Sequence, residues 1–166
     1  MKRYLVLERI NSSKNVAIYS PVFDGGDTTE FEKFISKYEG DESFAEDLDT
    51  ILSRVKVIEE MGAEDRYFRY ESGRNDNVSA LPSHFDTSRL RLYCICYNSR
   101  LLILGNGGEK KTRTYQEDPF LNQCVEDMKM INKELVRMIK RGNISFQGID
   151  LTGDLSLTIN DNKNNV

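Results

Sequence analysis

The sequence is poor in the residues from which metal and thiol sites are usually built. It has one histidine, His84, and three cysteines, and no cysteine pair has the two-residue gap of a zinc site. A single histidine excludes a multi-histidine metal centre. An odd number of cysteines without regular spacing argues against a disulfide framework. We therefore predict reduced thiols, no metal and no cofactor.

Motifs for nucleotide and acyl chemistry are also missing. Residues 105–108, GNGG, are not followed by the lysine and hydroxyl of a phosphate-binding loop, and no nucleophile elbow occurs. No run of about eighteen apolar residues is present, and charges interrupt the apolar residues of the N-terminus. We therefore expect a cytoplasmic protein with no membrane partner.

What the chain does contain is a basic island. The 166 residues, 39% apolar and 30% charged, carry a net charge of −4 and are typical of one globular domain. Residues 86–115 nevertheless hold six Lys or Arg against two Asp or Glu. Salt confines each field to about 10 Å, so such an island can attract phosphate locally. The alternative interpretation is a solvated charged face.

The first half of the chain predicts two strands followed by two helices. Alternation over 2–10 and the apolar run at 16–23 predict two neighbouring strands. Apolar residues at helical spacing predict one helix that ends before Gly40 and another over 43–61. Because the link between these helices is short, we expect an antiparallel helical pair.

The second half predicts a central hairpin. Residues 89–97 and 101–104 have the composition of strands and are separated by a short polar turn. Alternation in the first strand puts Arg89, Arg91 and Tyr93 on the same face. The two arginines are therefore expected to point the same way.

A long helix is predicted after the basic island. Asp118 and Pro119 supply an N-cap and a proline at the first helical position, and helical spacing continues to Gly142. One or two further strands follow it. The predicted fold class is α+β: a twisted antiparallel sheet, a helical pair before the central hairpin, and a long C-terminal helix packed against the sheet. We expect a single domain over 1–159 and a disordered tail over 160–166.

The island places several cations and a phenol at the end of a strand. Glycines can turn the chain sharply at 105–108, and Lys110, Lys111, Arg113 and Tyr115 follow on a stretch expected to be exposed. With the arginines of the preceding strand, they would form a concave cationic patch. Such a patch can bind a nucleic-acid backbone, stabilise charge on a scissile phosphate and stack a base without a metal. A charged loop that protects a sheet edge is the alternative.

The segment RLRLYCICYNSRLLILGNGGEKKTRTY at 89–115 resembles part of the RelE/HigB-like toxin superfamily of type II toxin–antitoxin pairs. The shared features are an arginine-bearing strand, a short turn, an apolar strand, a glycine, a Lys-Lys-Thr run and a terminal helix. The resemblance is closest over 86–141. It implies a small α+β domain with helices on one side of a twisted antiparallel sheet. The implied activity is metal-independent cleavage of messenger RNA by an endoribonuclease, on the ribosome.

The resemblance also implies roles for individual residues. The implied catalytic residues are Lys110, Lys111, Arg113 and Tyr115. The implied RNA-binding residues are Arg89, Arg91, Tyr93, Lys110 and Arg113. Attack by the ribose 2′-hydroxyl on the adjacent phosphate would need no protein nucleophile. The implied partners are a cognate antitoxin, expected to be a helix-turn-helix protein, and messenger RNA on the ribosome.

Two departures from the family pattern leave other functions open. Residues 106–108, Asn-Gly-Gly, replace the apolar-aromatic element that commonly precedes the double lysine. The N-terminal part is longer and more acidic than in the family, which weakens binding to ribosomal RNA. The alternative is a non-catalytic protein- or nucleic-acid-binding module on the same scaffold. A phage-derived domain without retained activity is a third interpretation.

Overall fold

A six-stranded sheet is the centre of the molecule in the computed structural model, which describes residues 1–70 and 77–160. Its strands are β1 (Lys2–Arg9), β2 (Ala17–Phe23), β3 (Val78–Leu81), β4 (Leu90–Asn98), β5 (Leu101–Glu109) and β8 (Ser156–Asn160). They lie in the order β3-β4-β5-β2-β1-β8. Every neighbouring pair is antiparallel except β2 and β5, which run parallel. A separate two-stranded sheet consists of β6 (Ile144–Gln147) and β7 (Asp150–Gly153).

Three α-helices pack on this sheet: α1 (Glu30–Tyr38), α2 (Ala45–Met61) and α3 (Pro119–Lys140). Helix α1 is capped by Thr29, whose hydroxyl accepts a hydrogen bond from the Glu32 amide at 3.1 Å. Helix α3 begins where the sequence predicts, because the Asp118 carboxylate accepts from two amides of the first turn. The α+β class, the helical pair and the long C-terminal helix packed on the sheet are therefore confirmed. No helix of the described ranges combines the length and the apolarity that a bilayer crossing requires.

The helices cover both faces of the sheet, so the implied one-sided packing is wrong. Leu92 and Cys94 of β4 join the core under α1 and α2, whereas Tyr93 and Ile95 join the core under α3. The central strand β2 shows the physical reason, since all of its residues are buried. A strand that is apolar on both faces needs a layer on each side.

Strand β5 does not end before the glycines. The sequence predicts an end at Leu104, but the strand continues through GNGG to Glu109. A Cβ placed on Gly107 would lie 1.8 Å from the Arg91 carbonyl oxygen. Glycine here allows β5 to lie against the β4 backbone, beside a register shift between Leu92 and Cys94. The predicted sharp turn is therefore a continuous, closely packed strand.

Two edges of the sheet also differ from the prediction. The composition of RYFRYE at 66–71 predicts a strand, but Asp65–Tyr67 form a 3₁₀ turn and Arg69 makes a single bridge to Ala80. The segment over 71–76 lies outside the described residues. Three strands instead of one or two follow α3. The last of them, β8, pairs with β1 and includes Asn160, which the sequence assigns to the disordered tail. The other residues of that predicted tail, 161–166, lie outside the described residues.

Candidate functional site

The backbone brings the two halves of the basic island together. Arg91 pairs with Gly108 across the β4–β5 ladder, and the Lys110 amide donates to the Arg89 carbonyl at 2.8 Å. Cations that are about twenty positions apart in the chain therefore meet at one end of the central hairpin. Whether these cations can bind a phosphate depends on the groups that already contact them.

The guanidinium of Arg89 is held by carboxylates and an aromatic ring. It lies 2.8 Å from Asp47 and 3.9 Å from Glu109, and its central carbon is 4.3 Å from the centre of the Phe44 ring. The hydrogen bond to Asp47 raises the pKa of Arg89. Burial alone would raise the pKa of Asp47, but hydrogen bonds from Arg89 hold it below its usual value. Arg89 therefore fastens α2 to β4 while half of its side chain stays exposed, so an RNA phosphate would compete with Asp47 for it and its RNA-binding role stays a prediction.

Three further cations of the island lie on a surface of mixed charge. Arg91 donates to the carbonyls of Ser88 and Leu90 at 2.7 and 2.9 Å. Lys111 and Arg113 are exposed, and each has a carboxylate within 4.0 Å, from Glu109 and Glu117 respectively. Exposed pairs of this kind are weak, at about 0–1 kcal/mol. The predicted concave cationic patch is therefore largely balanced by acidic neighbours.

The two tyrosines of the predicted site are buried. Tyr93 is 1% exposed and Tyr115 is 3% exposed, and their rings meet edge to face with centroids 6.3 Å apart in the core under α3. A buried ring presents no face to a base. This burial argues against the RNA-binding role predicted for Tyr93 and the catalytic role predicted for Tyr115. His84 lies exposed in the loop between β3 and β4.

Cys94 and Cys124 are buried and Cys96 is half-buried, and none of the three has the environment of a reactive thiol. Burial raises the pKa of Cys94 and Cys124 to about 12 and that of Cys96 to about 11. Over the described ranges, no group of three or more His, Cys, Asp or Glu side chains could hold a metal ion.

A cleft that the sequence does not reveal lies between the first halves of α1 and α3. Because β2 and β5 run parallel, their C-terminal ends lie at the same end of the sheet. After β2 the chain enters α1 on one face, and after β5 it enters α3 on the other. Such a point in a sheet opens a crevice in which ligands commonly bind. We call this cavity of about 410 Å³ the interhelical cleft.

Polar and apolar side chains share the wall of the interhelical cleft. The polar lining is Arg3, Glu30, Asn106, Gln123, Cys124 and Asp127. The larger apolar groups are Pro21, Phe23, Phe120 and Met128. This combination of an apolar wall and a few convergent polar groups is typical of small-molecule sites.

Asp127 of α3 is the most strongly bound carboxylate of the cleft. Arg3 Nη1 lies 3.2 Å from both of its oxygens, and the Gln123 amide donates to it at 2.7 Å. The Arg3 guanidinium also covers the Phe23 ring at 4.1 Å. Burial raises the pKa of Asp127, and the hydrogen bond from Gln123 and the charge of Arg3 oppose this only in part. Arg3 and Gln123 therefore stabilise the carboxylate form of Asp127, whereas burial favours its neutral form.

Glu30 faces Asp127 from the first turn of α1. Its Oε1 accepts a long hydrogen bond of 3.5 Å from Asn106, and its Oε2 lies 3.0 Å from Lys33 Nζ. Ser20 fixes this end of the helix, because its hydroxyl donates to the Leu104 carbonyl at 2.6 Å and accepts from the Phe31 amide at 3.1 Å. The same buried hydroxyl thus joins β2, β5 and α1.

Lys37 links the last turn of α1 to the opposite wall. Its Nζ donates to the Gly107 carbonyl at 2.8 Å and lies 4.0 Å from the centre of the Phe120 ring. Burial lowers the pKa of Lys37, although the neighbouring Glu30 acts in the other direction. The ammonium group is therefore engaged beside the cleft and is directed at the backbone.

Sequence reasoning missed the interhelical cleft because its polar residues come from β1, α1, β5 and α3 and form no linear motif. Arg3 and Asp127 are separated by 124 positions. The one local signal was GNGG, which we interpreted as a turn. No protein-family model, curated protein or solved structure matches this chain.

Proposed function

We propose that the protein is a binding module that holds a small polar molecule in the interhelical cleft. One observation carries the proposal: a cavity of about 410 Å³ lies where two parallel strands end and their helices depart to opposite faces. Its volume falls within the roughly 300–1,000 Å³ of ligand pockets. Two carboxylates and two carboxamides line it next to an apolar wall, which is a lining that can orient a ligand.

The proposal predicts that small polar molecules perturb one region of the protein. In a fragment screen by nuclear magnetic resonance, we expect amide shifts to cluster at Glu30, Asn106 and Gln123. Gln123→Trp places a bulky ring in the cavity and should abolish these shifts. Gln116→Trp, at an exposed position outside the cleft lining, is the matched control and should retain them. Shifts that cluster elsewhere, or none at all, would reject the proposal.

A second proposal keeps the RelE/HigB-like endoribonuclease with its antitoxin partner. It is supported by the order of hairpin, cationic loop and long helix, and by the exposure of Lys111 and Arg113, whose side chains are 73% and 90% accessible. The carboxylates of Asp41, Asp47 and Glu109 act against it. They lower the local potential from which RNA affinity chiefly derives.

The two proposals give opposite results when the protein is expressed without a partner. The binding module predicts unchanged growth and intact transcript ends, both for the wild type and for the triple variant Lys110→Ala, Lys111→Ala and Arg113→Ala. The endoribonuclease predicts growth arrest that the triple variant relieves. Immunoblots that show equal amounts of both proteins provide the control. Growth arrest by the wild type that the triple variant relieves would favour the endoribonuclease over the binding module.

A further inference from the structure

The two edges of the six-stranded sheet differ in how they are closed. At the β3 edge the chain folds back, and Arg69 and Ala80 exchange two backbone hydrogen bonds of 2.8 Å. At the other edge β8 pairs with β1, and no further strand of the described residues pairs with it. Proteins usually block such an edge with charged residues, proline or a bulge. The sequence of β8, SLTIN, has no charge and no proline, and its register with β1 is regular, so this edge is open to a further strand.

The backbone of β8 presents hydrogen-bonding groups at this edge. The Leu7 amide of β1 donates to the Leu155 carbonyl at 2.9 Å, and alternate pairs of an antiparallel ladder exchange such bonds. Leu157 therefore directs its backbone groups at β1, whereas Thr158 and Asn160 direct theirs outward. Neither of these two residues makes a backbone hydrogen bond outside the strand pairing to another of the described residues. A strand that lies along β8 would thus meet two amides and two carbonyls.

A groove between β8 and α3 lies beside the open edge. It has a volume of about 380 Å³, and we call it the β8 groove. Residues 158–160 form its wall on the sheet, and five residues of α3 form the opposite wall. Three of those five are the cations Lys129, Lys133 and Arg137, and one is the acidic Glu134. The helical wall of the groove is therefore mainly cationic.

Local ion pairs neutralise this wall only in part. Lys129 lies 3.5 Å from Glu126, and Arg137 pairs with Glu134, each within one turn of α3. Partly exposed pairs of this kind contribute about 0–1 kcal/mol. Lys133 lies between the two pairs, is exposed, and forms no ion pair with any of the described residues. Even when both pairs are counted as neutral, the wall keeps one positive charge.

These features favour an acidic partner over a second copy of the chain. A two-fold axis that paired β8 with itself would bring the cationic wall of one α3 beside the same wall of the other. We propose that the open edge of β8 binds an extended acidic segment of a partner protein, which adds to the sheet as a seventh strand. Its backbone bonds to Thr158 and Asn160, and its carboxylates contact Lys133. This interaction is separate from the ligand of the interhelical cleft.

The probe for this interaction is a capped hexapeptide of alternating valine and glutamate, titrated into isotope-labelled protein. Two further hexapeptides are the controls. Lysine in place of glutamate reverses the charge, and proline in place of valine keeps the charge but removes half of the amide donors. We expect the valine–glutamate peptide to shift the amides of Lys133, Thr158 and Asn160 at a concentration about tenfold lower than either control, which corresponds to one charge-assisted hydrogen bond.

Each other outcome of the titration rejects the proposal for a stated reason. If the lysine peptide binds as well as the glutamate peptide, the groove does not select acidic segments. If the proline peptide binds as well, the contact is not strand addition. If no peptide shifts these amides, the edge is not a docking site. The protein alone should sediment as a monomer, and a dimer that Thr158→Pro dissociates would assign the edge to a second copy.

Variants separate the contribution of charge from that of the backbone. Lys133→Glu should weaken the glutamate peptide about tenfold or more and strengthen the lysine peptide. Lys56→Glu, at an exposed position of α2 outside the groove, changes the net charge equally and should leave both affinities unchanged. Thr158→Pro removes an outward amide without removing a bond to β1, so it should abolish binding of the glutamate peptide. Unchanged affinity for that peptide in Lys133→Glu would overturn the proposal, whether or not Thr158→Pro folds.

Discussion

Gly107→Ala is expected to destabilise the protein by about 3 kcal/mol or more, although it adds one methyl group. The new Cβ would lie 1.8 Å from the carbonyl oxygen of Arg91 and 2.8 Å from its carbonyl carbon. Both are backbone atoms of β4, so no rotamer change can relieve the overlap. Either β5 must move away from β4 or the ladder between them must break.

A series of glycine variants separates this contact from a general effect of alanine. Gly105→Ala should lower the free energy of unfolding less, because the nearest atom is the flexible Met128 sulfur at 2.6 Å and the nearest backbone atom, the Tyr93 carbonyl oxygen, is 3.1 Å away. Gly108→Ala meets the Tyr38 hydroxyl at 3.3 Å and should be milder still. Gly40→Ala, with no atom within 4 Å, is the control and should be neutral or slightly stabilising. Urea denaturation measures all four free energies of unfolding, and equal values for Gly107→Ala and Gly40→Ala would refute the close packing of β4 and β5.

The close contact at Gly107 explains why a turn was wrongly predicted for GNGG at 105–108. Glycine in a strand can mark a turn, a bulge or a close approach of backbones, and all three have the same local signature. The choice depends on what lies opposite, which here is the Arg91 carbonyl. Helix α3 was predictable, in contrast, because its cap, its proline and its apolar spacing are all local. Local signals thus predicted the elements, and contacts across the sheet decided their lengths.

The basic island shows the same difference between local sequence signals and contacts across the fold. Its cations meet at the end of the hairpin because strand pairing brings Arg91 opposite Gly108. The carboxylate that engages Arg89 comes from Asp47, which is 42 positions away on α2. Counting charge along the chain could not include this partner, since Asp47 belongs to the acidic first half. A local excess of charge therefore predicts a patch only where tertiary contacts add no opposite charge.

The interhelical cleft depends on the parallel pairing of β2 and β5, and that pairing was not predictable from periodicity. The intervening segment, with two helices and the strands β3 and β4, forms a long crossover between the two strands. If β2 and β5 were antiparallel, their C-terminal ends would lie at opposite ends of the sheet. Glu30 and Asp127 would then not have faced one cavity. The candidate site is thus a product of topology.

One fully buried side chain is the main anchor of α1 on the sheet. Phe34 is 0% exposed and is the only buried residue within the helix span. Its ring packs against Tyr38, and the Tyr38 hydroxyl accepts from the Glu109 amide at 3.0 Å. Glu30 and Lys37, at the two ends of the helix, therefore depend on Phe34 for their distance from α3.

Phe34→Ala should lower the free energy of unfolding by about 3–5 kcal/mol, as expected for a buried phenylalanine. It should also abolish ligand-induced amide shifts in the interhelical cleft under conditions in which the protein remains folded, because α1 loses its anchor on the sheet and Glu30 leaves the cleft. Phe34→Leu retains most of the volume and should cost less than about 1.5 kcal/mol and keep binding. Phe85→Ala, at a position that is 93% exposed, removes the same atoms and should change stability by less than about 0.5 kcal/mol. Hydrogen exchange distinguishes the outcomes: loss of protection confined to α1 with loss of binding supports the anchor, whereas retained binding in Phe34→Ala would show that Glu30 is held in place by Ser20 and Lys37 alone.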